Sequence, residues 1–238
     1  MINRSGYFIA GTDTEVGKTL VAGALIVKLR ELGKSVLGFK PVVAGTYLGD
    51  DGQLLNEDIE TLRIALGNRH EDLTLCPYVL DTPAAPHIVA QSRGADLKAE
   101  ILLRSFNSIQ ERCDQVITEG AGGFLTPLNV HEDLGDFAKQ IGLPIILVVG
   151  MKLGCINHAL LTAEAIKSRR LNIAGWIGNT LTPEMPFLSE NIETLRSKID
   201  APFLGLIPGL PSRLKKNDNN PYSLEALEFA AQHIQLPA

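Results

Sequence analysis

The stretch near the N-terminus reads Tyr7-Phe8-Ile9-Ala10-Gly11-Thr12-Asp13-Thr14-Glu15-Val16-Gly17-Lys18-Thr19, followed by Leu20 to Leu32 with apolar side chains at helical spacing. The uninterrupted run Tyr7–Ala10 predicts a strand buried on both faces, as in a parallel sheet. A loop with glycine near both ends follows and closes on Gly-Lys-Thr at the start of a helix. Strand, loop and helix in that order form a phosphate cradle, because backbone N–H groups and the positive helix end face the anion. The motif sends Lys18 to the outer phosphates and the Thr19 hydroxyl to Mg²⁺. Five residues, rather than the standard four, separate Gly11 from Gly17, so Thr12 stands where the standard loop has its first glycine. The plain alternative is a strand-to-helix turn that happens to end in Gly-Lys-Thr.

Working outward, the same alternation continues. Ser35–Phe39, Gln115–Thr118, Pro144–Val149, Ile173–Ile177 and Phe203–Ile207 are short aliphatic or aromatic runs bounded by Gly, Pro or polar turns, and predict buried strands. Lys18–Leu32, Leu97–Arg112, Leu134–Ile141, Asn157–Ser168, Ser189–Lys198 and Ser223–Gln235 have helical spacing. The expected class is α/β: one doubly wound, mostly parallel sheet with helices on both faces, in a single domain over residues 1–238. Ala44–Asn56 and Pro208–Tyr222 read as long loops, the first of them mobile, and loops of that length are functional or disordered.

Composition narrows the function. Lys plus Arg number 22 against 27 Asp plus Glu, a net charge of −5, with a pI near 5.6. That balance disfavours nonspecific binding to nucleic acid or a membrane surface. Aromatics at 5% and 22 glycines suit layered α/β packing better than an all-β sandwich. At 25.7 kDa, folding buries roughly 72% of the chain's surface, so the core needs no staples. Cys76, Cys113 and Cys155 form no Cys-x-x-Cys pair, which argues against a zinc site or disulfide framework. No signal peptide or membrane span is read, and the expected setting is a reducing cytoplasm.

A nucleotidase of this kind needs a carboxylate at a neighbouring strand tip. Gln115-Val116-Ile117-Thr118-Glu119-Gly120-Ala121-Gly122-Gly123 supplies Glu119 at the end of a strand, with glycines behind it that allow close backbone approach to a ligand. An ordinary exposed strand-end acid is the alternative.

Together these blocks, with Lys40-Pro41-Val42, Val149-Gly150-Met151-Lys152-Leu153-Gly154-Cys155-Ile156-Asn157-His158-Ala159 and Ala174-Gly175-Trp176-Ile177, resemble the dethiobiotin synthetase family, over residues 8 to 208 and in the family's order. The long phosphate loop is the family's own form. The resemblance implies that Glu15, Val16, Gly17, Lys18, Thr19 and Leu20 surround the triphosphate. Asp58, Glu119, Gly120, Ala121, Gly122, Asn179, Thr180, Ile207, Pro208 and Gly209 complete the nucleotide site. It implies Mg²⁺ on Thr19, Asp58 and Glu119, an all-oxygen set that suits a hard cation. Lys40 matches the catalytic lysine beside Lys18; its alternative is a strand-end lysine reaching to solvent. Thr14, Lys40, Ala44, Gly154, Cys155, Ile156 and Asn157 fall at the substrate.

Three positions depart from the family. Ala44 stands where a hydroxyl usually meets substrate, so Thr46 or a backbone group takes its place or the contact is missing. Asn179-Thr180 replaces the usual Asn-Asp pair, although Asn179 alone still offers a donor and an acceptor to adenine. Gly209 stands where an aromatic often covers the base, which implies looser base selectivity. The Gly150–Ala159 block implies a homodimer in which this segment binds the substrate carboxylate across the two-fold axis, and its helix N-terminus suits an anion. Cys155 and His158 also admit a nucleophile reading, against a buried thiol with a structural histidine. His87 lies near the family's substrate segment or simply packs, whereas His70, His131 and His233 read as surface.

The implied reaction joins 7,8-diaminopelargonate, CO₂ and ATP into dethiobiotin, ADP and phosphate, through a carbamate and a carbamic-phosphoric anhydride. Rival readings are a partition or metal-chaperone ATPase, a cobyrinate-type amide synthetase, a small-molecule kinase and a binding module without chemistry. The first usually carries a lysine early in the phosphate loop, and none stands between Gly11 and Gly17. The second needs a glutaminase half that 238 residues do not hold. Bicarbonate dependence separates the kinase.

Overall fold

The computed structural model describes residues 5–49, 52–67, 74–181, 185–217 and 220–237. In chain order its elements are β1 (Gly6–Gly11), α1 (Lys18–Glu31), β2 (Val36–Phe39), β3 (Val42–Ala44), β4 (Tyr47–Leu48), β5 (Leu54–Leu55), α2 (Glu57–Ala65), β6 (Tyr78–Leu80), α3 (Pro86–Ser92), α4 (Ala99–Gln110), β7 (Gln115–Glu119), α5 (Leu134–Ile141), β8 (Ile145–Met151), α6 (Cys155–Ser168), β9 (Ile173–Thr180), α7 (Leu188–Lys198), β10 (Phe203–Ile207) and α8 (Leu224–Gln232).

The six uninterrupted apolar runs become one sheet in the order β10-β9-β8-β1-β7-β2, with every pairing parallel. Continuous apolarity has the expected cause, since all seven residues of β8 are buried. Alternate side chains of β2 show both faces covered. A Cβ on Gly38 would meet Leu62 of α2 and Ile26 of α1, whereas Phe39 packs edge-on against Phe106 of α4 and tilted against Phe137 of α5. Helix α1 is buried along most of its length because α8 covers its outer side. Gly23 permits that approach, as a Cβ there would lie 2.6 Å from Leu227.

The chain leaves β1 toward β7 and β2 on one side and toward β8, β9 and β10 on the other. All six carboxyl ends therefore share one edge, and the reversal of direction falls at the tip of β1, where open α/β sheets hold ligands. Among the described residues no helix is long and apolar enough to cross a membrane.

Four expectations need correction. The simple β-α-β-α order breaks after β2, where β3 pairs in parallel with β6 in a separate two-stranded sheet. Part of the segment read as a mobile loop over Ala44–Asn56 is an antiparallel hairpin, Tyr47–Leu48 against Leu54–Leu55; Asp50 and Asp51 lie outside the described residues. Helix α6 starts at Cys155, two residues earlier than its apolar spacing predicts, because Gly154 caps it at φ 94°. The Pro208–Tyr222 segment contains a 3₁₀ turn at Ser212–Leu214, and its Asp218 and Asn219, like His70, lie outside the described residues.

Candidate functional site

The phosphate loop is shaped by sterics before it is shaped by charge. Gly17 has φ 96°, and a Cβ there would lie 2.2 Å from Asn179 Nδ2, so any other residue is strained and must push that side chain aside. That amide donates to the Val16 carbonyl at 2.9 Å, which ties the loop to the end of β9. Thr12 N–H donates to Val148 O of β8 at 3.1 Å, and Glu15 also takes a positive φ, 59°. Lys18 is buried and folds back over the loop to donate to the Asp13 carbonyl at 2.8 Å. Burial, with repulsion from Lys40, lowers its ammonium to about 8.

Beside it, the ends of β2 and β7 and the starts of α1 and α2 bring a charged cluster together. Lys40 follows β2 and is buried, with Nζ 2.6 Å from Glu119 Oε1 and 2.8 Å from Asp58 Oδ2, and it also donates to the Gly120 carbonyl at 3.3 Å. Thr19 Oγ1 lies 2.7 Å from Asp58 Oδ1 and 2.7 Å from Glu119 Oε1. One hydroxyl proton cannot satisfy two carboxylate oxygens, and Glu119 Oε2 is buried with no partner. These oxygens suit a hard divalent cation, which would replace the missing donor.

The electrostatics follow from the same distances. Burial pulls Lys40 down, but the charges and hydrogen bonds of Asp58 and Glu119 outweigh it and hold the ammonium above its ordinary range. Burial raises Glu119, with Lys40 opposing, and Asp58 adds to the rise. For Asp58 the order reverses: burial raises it, yet Lys40 and the Thr19 hydroxyl hold it below the usual carboxylate range. Asp58 is the second residue of α2, whose cap is Asn56: its Oδ1 accepts from Asp58 N at 3.0 Å and from Ile59 N at 3.3 Å, and its Nδ2 donates to Gly45 O at 2.7 Å.

The remaining sequence candidates divide. Val16 and Leu20 have core side chains, so only their backbone can face a phosphate. Gly120 donates to Ile9 O at 3.0 Å, and a Cβ on Gly122 would lie 2.6 Å from Thr126 Oγ1 and 3.6 Å from Thr14 Oγ1, with half-buried Ala121 between them. Asn179 pairs in register with Ile207, which brings Asn179, Thr180, Ile207, Pro208 and Gly209 to one corner. The Thr180 hydroxyl there is buried and unpartnered. Ala44 closes β3, half-buried, and is joined through Gly45 and Asn56 to α2.

At the start of α6, Gly154 and Asn157 are exposed, Ile156 is half-buried and Leu153 is fully exposed. Cys155 is buried with Sγ 3.8 Å from Asn191 Oδ1, whereas His158 is exposed. The pair is neither a nucleophile and its base nor a thiol with a packed histidine. His131 is exposed, but His233 is half-buried, with Nδ1 2.8 Å from Phe229 O and its ring on the Phe229 ring, contrary to its surface reading. His87 is half-buried with Nδ1 unpartnered.

Sequence reasoning missed Asn56 and Lys152. An Asn before Glu-Asp at a helix start is a cap signal that was there to be read. Lys152 Nζ lies 3.5 Å from Asp13 Oδ2 and joins the β8–α6 connection to the phosphate loop; its sequence position alone carries no such signal.

Comparison with known proteins places this geometry. A family model described as an AAA domain matches residues 5–216. The chain is 49% identical to the ATP-dependent dethiobiotin synthetase BioD of Aromatoleum aromaticum over 87% of its own length and 92% of the relative's. It is 40% identical to the enzyme of the same name from Vibrio parahaemolyticus, over 93% and 96%. Among solved structures, the MinC:MinD cell division complex of Aquifex aeolicus gives a TM-score of 0.57 at 14% identity, covering 96% of this chain and 94% of that one. MinD from Pyrococcus horikoshii, complexed with Mg-ADP, gives 0.55 at 19%, covering 95% of each. Likeness at that identity shows a shared α/β P-loop fold and nothing further. Identity at this level across nearly the full length, on a strand-tip site of this composition, places the chain in the ATP-dependent dethiobiotin synthetase family.

Proposed function

We propose that this chain is a ligase of biotin biosynthesis that forms dethiobiotin from 7,8-diaminopelargonate, CO₂ and ATP, with Mg²⁺. One observation carries the reading: Lys18, Thr19, Lys40, Asp58 and Glu119 come from four separate segments to meet at the tips of β1, β2 and β7.

In the proposed reaction a neutral amine of the substrate adds to CO₂, losing a proton to give a carbamate. The carbamate oxygen attacks the γ-phosphorus, the bond to ADP breaks, and a carbamic-phosphoric anhydride forms. The second amine attacks its carbonyl carbon and loses a proton, phosphate departs, and the five-membered ring closes. The chain's part is positioning and charge. Lys18, released from the Asp13 carbonyl, reaches the outer phosphates. Lys40, held protonated by Asp58 and Glu119, faces the transferring group. Its cationic field also favours the neutral amine that CO₂ addition needs. Thr19, Asp58 and Glu119 would hold Mg²⁺, which supplies positive charge to the phosphate oxygens. Backbone N–H groups from Glu15 to Leu20 cradle the triphosphate, and the corner at Asn179, Thr180 and Ile207–Gly209 receives the base.

The same reading makes the active unit a homodimer. Exposed Gly154 and Asn157, with the N–H groups of Ile156 and Asn157 at the start of α6, where no side chain caps the helix, bind the substrate carboxylate of the partner's site, while Thr14 and the Ala44–Gly45 backbone lie on the other side of the substrate. Three free cysteines suit a cytoplasmic protein. The test is ADP release with diaminopelargonate, with and without bicarbonate in CO₂-depleted buffer. Release must depend on both; release that ignores bicarbonate would favour a simple kinase.

A further inference from the structure

The segment leaving β10 does more than connect two elements, because two of its residues grip the helix that carries Asp58. Lys216 pairs with Glu57, the first residue of α2. Tyr222 N–H donates to Thr61 Oγ1 at 3.0 Å, and that hydroxyl, on a fully buried side chain, donates to the Glu57 carbonyl at 2.7 Å. The Lys216 ammonium also lies 5.3 Å from the centre of the Tyr222 ring. Two of these lines end on Glu57, one residue from Asp58: Lys216 on its carboxylate, and Tyr222 through the Thr61 hydroxyl on its carbonyl. Burial, then the charges of Glu57, Asp58 and Glu119, push the Tyr222 phenol up to about 12, which locates it in the field of the same site. The segment begins at Ile207-Pro208-Gly209, the corner beside Asn179.

The first turn of α2 needs such a grip. It carries three acids, Glu57, Asp58 and Glu60, in a helix of nine residues. Favourable interaction with the helix dipole does not fix where Asp58 points. Asn56 fixes the turn from the hairpin side through Gly45, and the Lys216–Glu57 and Tyr222–Thr61 contacts fix it from the C-terminal side.

We propose that Lys216, Tyr222 and Thr61 are positioning residues that hold Asp58 in place for Mg²⁺–nucleotide binding and join the base corner of the site to its metal end. This rests on the proposed function, and the experiment separates the two. Calorimetric titration gives the Mg²⁺ concentration that half-saturates the tightening of ADP binding, with no turnover involved. Thr61→Val removes the bridging hydroxyl without changing charge, and Thr61→Ser keeps it. Lys216→Gln removes the ion pair, and Lys216→Arg keeps it.

Loss of one partly buried contact should raise the half-saturating Mg²⁺ about three- to fivefold in Thr61→Val and Lys216→Gln. Thr61→Ser and Lys216→Arg should stay within about twofold of wild type. The sign is diagnostic. A merely electrostatic Lys216 predicts the reverse, since removing a cation beside an acidic cluster favours Mg²⁺. If wild type shows the Mg²⁺ effect while Thr61→Val and Lys216→Gln match it or bind Mg²⁺ more tightly, the positioning role is overturned and the proposed function stands. If Mg²⁺ leaves ADP binding to wild type unchanged, both fall.

Discussion

Replacing Lys40 by methionine separates the chemical from the structural demands on this site. Methionine keeps the volume of the stem and deletes a buried ammonium that lies 2.6 Å from Glu119 and 2.8 Å from Asp58. Losing one preorganised contact to the transferring phosphoryl group lowers turnover by about 10² or more. Stability falls too, because removing one partner of a buried pair costs about 3–5 kcal/mol. At about 2–4 °C per kcal/mol for a chain of this size, the melting midpoint drops by roughly 6–20 °C.

The pH dependence identifies the cause. Burial already raises Glu119, and Lys40 is the strongest influence opposing that rise. Without Lys40 the folded-state value climbs further above the unfolded one, so the folded protein binds this proton more tightly. The penalty is then complete above the folded value and fades as pH falls through it toward the ordinary glutamate range. Thermal unfolding of both proteins at about pH 8 and about pH 5.5, with turnover measured alongside, tests this directly. Turnover of Lys40→Met within about tenfold of wild type, or a gap in midpoint that does not narrow at the lower pH, would remove Lys40 from these roles.

Four further outcomes follow from the same geometry. Lys18 sits at about 8 in the nucleotide-free protein, so triphosphate binding at pH about 8.5 should take up about 0.7 proton, measurable by calorimetry in two buffers of different ionisation heat; no uptake would place Lys18 away from the phosphates. The same lowered value makes this group's contribution to the stability of the nucleotide-free protein improve as pH rises from about 8 toward the ordinary lysine range. Gly17→Ala forces a left-handed alanine and displaces Asn179 from Val16 O, together about 2 kcal/mol, so nucleotide Kd should rise roughly 30-fold; an unchanged Kd would show that the loop relaxes freely. Lys18→Ala and a bulky substitution at Gly154, each inactive alone, should recover about a quarter of wild-type activity when mixed, since half the dimers are then heterodimers with one intact site each; no recovery despite proven subunit exchange would defeat the shared pocket.

The sheet was legible because its strands are buried on both faces, and continuous apolar runs such as Ile145–Val149 have no other simple reading. The phosphate loop and Glu119 were legible because each stands at the end of such a run. Helix α2 was not: Glu57-Asp58-Ile59-Glu60-Thr61-Leu62-Arg63-Ile64-Ala65 is short and acidic, and its burial centres on Thr61, Leu62 and Ala65. Strands β3 and β6, at three residues each, are too short for a period to show. The meeting of Lys40, Asp58 and Glu119 depends on β7 lying between β1 and β2, a strand order that local spacing does not encode. The contacts of Lys216 with α2 cross 159 residues of sequence and are likewise a product of topology alone.

In the proposed reaction ATP cleavage drives one carbon from CO₂ into a ring. Incubating the purified chain with diaminopelargonate, ATP, Mg²⁺ and ¹³C-bicarbonate, and following the product by mass spectrometry beside ADP, measures that coupling directly. One labelled carbon should be fixed per ADP released, in a product whose mass equals the diamine plus CO₂ less water. ADP released without label in the product, or a phosphorylated diamine in its place, would contradict it.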